Sequence, residues 1–286
     1  MQNPTTSLPT LVIAARGKTG RRVADRLEAA GLPVRRASRT GATPETSFDW
    51  DDRGTWRAAL AGAGAAYVVY SPDLAVPAAP VAIAAFVELA EELGVQRLVL
   101  LSGRGEEEAQ RCERLVLDSN VPATVVRASW FNQNFDEGEF QGLVLSGAVT
   151  LPAGDVGEPF LDIDDLADVV VAALTGDGHT GEVYEVTGPR LLTFAEATAE
   201  LAAATGRELA YVEIPSEAFR AGLTEAGMPT EQIELLDYLF TTVLDGRNAS
   251  TADGVERALG RPARDFRDWA RDAAAAGAWE LAAQEA

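Results

Sequence analysis

A doubly wound α/β fold, with a parallel sheet and a smaller, mostly helical C-terminal lobe, is the fold class this sequence predicts. Three observations carry the prediction. Short apolar segments alternate with longer amphipathic ones from residue 8 to residue 127. Each short segment is apolar throughout, as strands covered on both faces are, whereas a strand with one wet face would alternate. The first segment runs straight into a glycine turn and a helix, the order in which a strand delivers a helix N-terminus to a bound anion.

Taken in order, Leu8 to Ala14 form the first strand, and Arg21 to Ala30 a helix with apolar residues at Val23, Leu27 and Ala30. Leu32 to Ala37 is the second strand and Thr46 to Phe48 a short third. The acidic run Asp49, Trp50, Asp51, Asp52 opens a helix over Arg53 to Ala61, because carboxylates favour a helix start. Ala65 to Tyr70 is a buried strand, three prolines punctuate the next loop, and a helix runs from Val81 to Leu93 until Gly94 ends it. Arg97 to Ser102, Glu106 to Asp118 and Ala123 to Arg127 continue the strand, helix, strand series.

Beyond Arg127 the rhythm changes. Ser129 to Ser146 is mixed and aromatic, Val149 to Pro152 is extended, and Phe160 to Ile163 leads into a helix over Ala167 to Leu174. A glycine-rich turn precedes one more strand, Val183 to Thr187. Helices follow over Phe194 to Thr205, Ser216 to Ala226, Glu231 to Leu244 and Asp253 to Leu259. The expected division is a dinucleotide-binding domain over residues 1–188, with 130–160 contributing to a substrate lobe, and a smaller lobe over 189–286. That lobe is expected at one end of the sheet, where ligands of open α/β folds bind.

The formal net charge of −20 opposes a nucleic-acid or anionic-membrane role, since contacts to phosphate dominate such binding. No apolar run reaches the roughly 20 residues that span a bilayer, and Met1 to Thr10 lacks the pattern of a signal peptide. The single cysteine, Cys112, allows no internal disulfide and reads as a packed helix residue. A cytoplasmic protein is expected. Asp162, Asp164, Asp165 and Asp168 form neither a calcium loop nor a metal cage and read as helix-capping residues. The one histidine, His179, lies in the glycine turn and reads as turn-capping or solvent-exposed.

The glycine turn reads Ala14-Ala15-Arg16-Gly17-Lys18-Thr19-Gly20 and holds the only lysine of the chain. Ala14 stands where a first glycine is usual and fits a tight turn if its φ is negative; Gly17 and Gly20 keep the positions of close approach to phosphate and of helix-on-strand packing. At the end of the second strand there is no carboxylate for a ribose but Arg39, with Arg35 and Arg36 nearby. A guanidinium there suits a 2′-phosphate, so NADP(H) is favoured over NAD(H). Arg35 reads as a solvated surface residue.

These residues resemble the NmrA-like family of atypical short-chain dehydrogenases/reductases, which has a Rossmann-type fold. The likeness extends over nearly the whole chain. It rests on Arg16 to Arg22, Arg39, Phe48 to Asp52, Leu101-Ser102-Gly103, Arg127 to Phe135, Asp162 to Asp168 and Thr187-Gly188-Pro189. The resemblance implies that Arg16, Gly17, Lys18, Thr19 and Gly20 hold the pyrophosphate, Arg39 the 2′-phosphate, and Asp49 and Trp50 flank the adenine. It places Tyr70, Ser71, Ser102 and the loop from Ala128 to Phe131 around nicotinamide and substrate.

Ordinary short-chain dehydrogenases protonate a carbonyl with a tyrosine whose pKa a lysine lowers, four residues on along a helix. Ser102 stands where the accompanying serine would be, but Glu106 to Asp118 holds neither tyrosine nor lysine, and Lys18 cannot serve elsewhere. A quinone-like or polycyclic aromatic acceptor needs less help, because it stabilises its own developing charge. The expected function is an NADP(H)-dependent oxidoreductase acting on such an acceptor, in aromatic polyketide tailoring, with a monooxygenase-type outcome if the reduced product meets oxygen. Catalytic candidates are Ser102, Tyr70 and Trp130. Trp130, Phe131, Asn132 and Asn134 are candidates for holding the substrate, with Tyr238 or Phe240 as further lining. The aromatics read equally well as core, and the asparagines as loop residues. A flavin-dependent partner or a second copy of the chain is compatible with this reading. The alternative is a non-catalytic sensor that binds NADP(H).

Overall fold

The computed structural model describes residues 8–280. Six strands form a sheet in the order β2-β1-β3-β4-β5-β7. They are β1 (Thr10–Val12), β2 (Val34–Arg36), β3 (Ala65–Val68), β4 (Arg97–Gly103), β5 (Ala123–Ala128) and β7 (Val183–Val186). The pairs β1 with β2, β1 with β3, β3 with β4, and β4 with β5 are all parallel. Between them run α1 (Lys18–Ala29), α2 (Trp56–Leu60), α3 (Ala79–Glu92), α4 (Glu107–Leu117) and α6 (Ile163–Thr175). β3 and β4 are buried along most of their length, as their unbroken apolar sequences require. The predicted fold class therefore holds.

The chain forms two compact units. The first contains residues 1–128, 164–185 and 254–261, and the second 129–163, 186–253 and 262–286. Unit 1 holds the sheet and a core that includes Leu11, Ile13, Trp56, Phe86, Leu98 and Cys112. In it the chain runs out one way from β1 to β2 and returns on the other side with β3, so the loops after β1 and β3 flank the point where strand order reverses. Ligands of open α/β sheets bind outside the carboxyl ends of strands at that point.

Unit 2 contains α5 (Gln141–Ser146), α7 (Phe194–Thr205), α8 (Ser216–Glu225), α9 (Thr230–Tyr238), α11 (Phe266–Ala275) and a two-stranded parallel sheet of β6 (Ala148–Leu151) with β8 (Ala210–Glu213). Its core is aromatic: Phe135, Phe140, Phe160, Phe194, Phe240, Phe266 and Trp269 are all buried. α7 begins with a reciprocal cap in which Thr193 and Glu196 satisfy each other's backbone N–H. α10 (Gly254–Leu259) returns to unit 1.

Several expectations are corrected. The short third strand reduces to one bridge between Ser38 and Ser47. The helix expected from Glu231 to Leu244 is α helical to Tyr238 and continues as one π turn over Leu239–Val243. The helix after the acidic run starts in a 3-10 turn capped by Asp52, which accepts from the Gly54 N–H at 2.9 Å, and not by the whole run. The four aspartates at the start of α6 do more than cap it. In unit 1, Asp164 and Asp168 receive Arg26, and Asp165 and Asp168 receive Arg261; in unit 2, Asp162 receives Arg264 at 3.0 Å. Cys112 is fully buried, and burial pushes its thiol up to about 12. Among the described residues, no helix is long and apolar enough to cross a membrane.

Candidate active site

The loop after β1 turns on Ala14, the only non-glycine residue with positive φ among those described, at +54°. The expectation of a negative φ there is wrong: the carbonyl of Ala14 has to swing inward to accept from the Gly17 N–H at 2.8 Å, and a left-handed residue provides that. The same carbonyl explains Gly20. A Cβ at residue 20 would lie 2.3 Å from the Ala14 oxygen, closer than any side chain tolerates. α1 therefore starts three residues earlier than its apolar periodicity suggests, at Lys18, and no side chain caps its first turn. Backbone N–H groups and the helix dipole at that end make a cradle for an anion. The residues present fit a dinucleotide pyrophosphate.

The arginines at the end of β2 divide sharply. Arg35 donates to the carbonyls of Ala59 and Ala61 at 2.5 and 2.9 Å, so it closes the end of α2 and is not simply solvated. Arg36 is held by Asp25 and Glu28. Arg39 is exposed and, among the described residues, its side chain takes part in no ion pair or hydrogen bond. Arg16 reaches across to the hydroxyl of Thr40 at 2.7 Å. The free guanidinium is the one expected to meet the 2′-phosphate.

Trp50 is 9% exposed, its indole N–H donates to the Val69 carbonyl at 2.9 Å, and its ring packs against Phe48, Trp56 and Phe86. The indole belongs to the core; Asp49 beside it is half-buried, and its carboxylate accepts from the Asp51 N–H. Tyr70 lies against Trp50 at 5.0 Å between ring centroids, and burial, with Asp51 nearby, pushes its phenol up. It stays protonated over the neutral range. Ser71 beside it is exposed.

Ser102 is placed otherwise than a catalytic serine would be. It is 4% exposed and donates its hydroxyl to Oε1 of Glu113 at 2.6 Å. Glu113 is itself gripped by Arg127, whose Nε and Nη2 reach both carboxylate oxygens at 2.9 and 2.5 Å. Ser102 thus completes a buried ion pair under the sheet and has no proton to offer outward.

The sequence reading missed a second carboxyl group on the same turn. Glu106, 5% exposed, precedes α4 but does not cap it; its side chain folds back over Gly103, where an added Cβ would come within 2.4 Å of Oε1. It meets Asp73, from the loop after β3, closely enough for the two carboxyls to share a hydrogen bond. Asp73 is half-buried and also accepts from the Ala75 N–H at 2.9 Å. Among the described residues no donor reaches Oε2 of Glu106. Burial and the facing carboxylate push Glu106 up to about 9, and burial raises Asp73 as well. Residues 33 apart give no spacing signal; only the glycine before Glu106 hinted at a side chain folded over it.

In unit 2, Trp130 packs against Phe140, Phe194 and Phe240 with centroids 6.0, 5.6 and 4.9 Å apart, so much of its ring is core. Phe240 is buried, while Phe131 and Tyr238 are half-exposed. Asn132 is fully buried, with neither amide atom partnered among the described residues although its backbone N–H donates to the Leu161 carbonyl. Asn134 is half-buried. Its neighbour Gln133 is fully engaged, donating to Asp162 and accepting from the Ile163 N–H. His179 caps its turn as expected: its carbonyl accepts from Thr124 and Glu182, and Nδ1 lies 2.8 Å from the Tyr184 hydroxyl.

No family model matches the chain. It is 34% identical to a (4-alkanoyl-5-oxo-2,5-dihydrofuran-3-yl)methyl phosphate reductase of Streptomyces griseus, over 93% of this chain and 98% of the relative. It is 31% identical to an NAD(P)H azoreductase of Xenophilus azovorans, over 93% and 98%. The triphenylmethane reductase of Citrobacter sp., solved with NADP(H), shares the fold at a TM-score of 0.76 and 18% identity, over 93% of this chain and 99% of that one. With these likenesses added to its uncapped glycine-loop helix and free Arg39, the chain belongs to the NmrA-like family of atypical short-chain dehydrogenases/reductases and is an NADP(H)-dependent oxidoreductase.

Proposed function

We propose that the protein reduces an electron-poor, conjugated acceptor of the quinone type. The observation that carries this reading is the composition of α4: Glu107–Leu117 holds neither tyrosine nor lysine, and the chain has no lysine besides Lys18. NADPH supplies a hydride. The residues on hand then favour an acceptor whose own conjugation spreads the charge that arrives, because no acidified tyrosine is present to quench it. The names of the relatives agree in kind: an azo group is a reducible N=N bond, and in an alkanoyl-bearing dihydrofuranone the ring C=C bond is conjugated to carbonyl groups.

In this reading the first turn of α1 holds the pyrophosphate, with Arg16, Gly17, Lys18, Thr19 and Gly20, and Arg39 selects the 2′-phosphate. Asp49, Tyr70 and Ser71 border the bound nucleotide. Asn132, whose buried amide has no partner among the described residues, recognises a polar group of the substrate, since an unsatisfied buried amide costs on the order of 1–3 kcal/mol. Phe131 and the exposed part of Trp130 supply aromatic surface. An aromatic polyketide is a substrate of this chemical class, and a hydroquinone product that reacts with oxygen gives the hydroxylated outcome. A single cysteine is in keeping with a cytoplasmic reaction.

The test is NADPH oxidation with a panel of naphthoquinones, azo dyes and butenolides, with and without oxygen. Turnover by at least one class, faster with NADPH than NADH, is the expected result. Tight NADPH binding with no turnover across the panel would overturn the reading in favour of a redox sensor. Oxygen uptake in step with NADPH loss would extend it to hydroxylation.

A further inference from the structure

Two carboxyls that face each other without a cation between them are unusual inside a protein, because both cannot stay ionised. Asp73 and Glu106 follow the carboxyl ends of adjacent strands β3 and β4, in the part of unit 1 where an open α/β sheet receives its ligand. Two charged neighbours have partners of their own. Glu113, on α4, faces Arg127; Arg104, two residues from Glu106, lies 3.6 Å from Glu185. Burial and the carboxyls of Asp73 and Glu113 are what act on Glu106, and among the described residues its Oε2 has no donor although the residue is 95% buried. Gly103 leaves room for the carboxyl to lie flat on the strand end.

We infer that Asp73 and Glu106 hold one proton between them and deliver it to the reduced acceptor. This role rests on the reductase reading above. Once a hydride has bonded to the acceptor carbon, the electron pair of the broken double bond moves to the conjugated oxygen, nitrogen or carbon. That atom forms its new bond to the proton released by Asp73, the more exposed member. Glu106 and Asp73 are then both ionised, and the repulsion between them draws one proton back from water. One hydride and one proton have been added, and the pair returns to its starting charge. A shared carboxyl proton thereby stands in for the missing tyrosine and lysine.

The pair can be examined apart from turnover. Infrared difference spectroscopy of the wild-type protein at pH 7 is expected to show a protonated-carboxyl C=O band that is lost in Glu106→Gln, an isosteric change that can still donate to Asp73. With an accepted quinone, Glu106→Gln and Asp73→Asn are expected to lower kcat about 10- to 100-fold and remove the alkaline limb of the pH profile, while NADPH affinity stays within about twofold. Absence of the band in the wild type overturns the proposal without touching the reductase reading. A band with unchanged kcat and pH profile in both variants also overturns it. If no acceptor is turned over, the reductase reading fails, and the donor role with it, even when the band is present.

Discussion

Glu106, just before α4, and Glu113, about two turns into it, lie seven residues apart, each nearly inaccessible to water, and they live in opposite surroundings. Glu113 accepts from Ser102 and takes both arms of Arg127. Glu106 faces another carboxyl and receives no donor at Oε2. The first is a structural ion pair, complete within the protein. The second is incomplete and sits at the carboxyl ends of the strands. The arginines in and just after β2 repeat the contrast, with Arg35 and Arg36 engaged internally and Arg39 left over. Among the described residues, polar groups without an internal partner, Arg39 in the first unit and Asn132 in the second among them, mark where a ligand is to be sought.

Breaking the completed pair should have the largest effect. Arg127→Ala strands a buried carboxylate and is expected to cost about 3–5 kcal/mol in chemical denaturation, most of it recovered by adding Glu113→Gln. A loss under 1 kcal/mol would mean that Arg127 and Glu113 do not depend on each other, erasing the contrast.

The incomplete pair should show in the pH dependence of stability. Glu106 is raised in the folded state, so its contribution is fully present below the ordinary carboxylate pKa and is lost as the pH rises toward about 9. The unfolding free energy should fall over that window, by no more than about 1.4 kcal/mol per pH unit for one proton, and Glu106→Gln should flatten the fall. A wild-type profile level from pH 5 to 9 would refute it.

Arg39→Ala should weaken NADPH binding about 10- to 100-fold while leaving NADH binding within about twofold, the loss of a charge-assisted contact. Equal losses for both nucleotides would show that Arg39 does not read the 2′-phosphate. Ser102→Ala is expected to cost about 1.5 kcal/mol of stability, by removing a donor to a charged group, yet change kcat less than about threefold. A collapse of kcat with normal stability would return Ser102 to the catalytic group. The smallest effect belongs to Ala14→Gly, which relieves a left-handed alanine and should raise stability by about 1 kcal/mol or less in thermal melts.

The sheet was legible because β3, β4 and β5 are continuous apolar runs between glycine and proline punctuation, and α7 was readable to the residue because Thr193 and Glu196 announce its start. α1 was read three residues short since Lys18, Thr19 and Gly20 carry no apolar signal. β8 escaped because Ala210–Glu213 is mostly exposed. α11 escaped although Asp265 caps it and Phe266, Trp269, Ala270 and Ala273 recur at helical spacing. At the site, the glycine loop and Arg39 were visible as local patterns. Ser102 was placed correctly on its strand and given the wrong neighbour, because Glu113 and Arg127 meet it only through the sheet. The pairing of Asp73 with Glu106 depends on β3 lying beside β4, which no local spacing encodes.

Lys18, at the first position of α1, is the only side-chain amine in 286 residues. A reagent that couples to lysine, whether a fluorophore or a surface tether, therefore has a single side-chain address, at the glycine turn proposed to hold the nucleotide. The protein carries its own labelling handle where a reporter of cofactor arrival would be wanted.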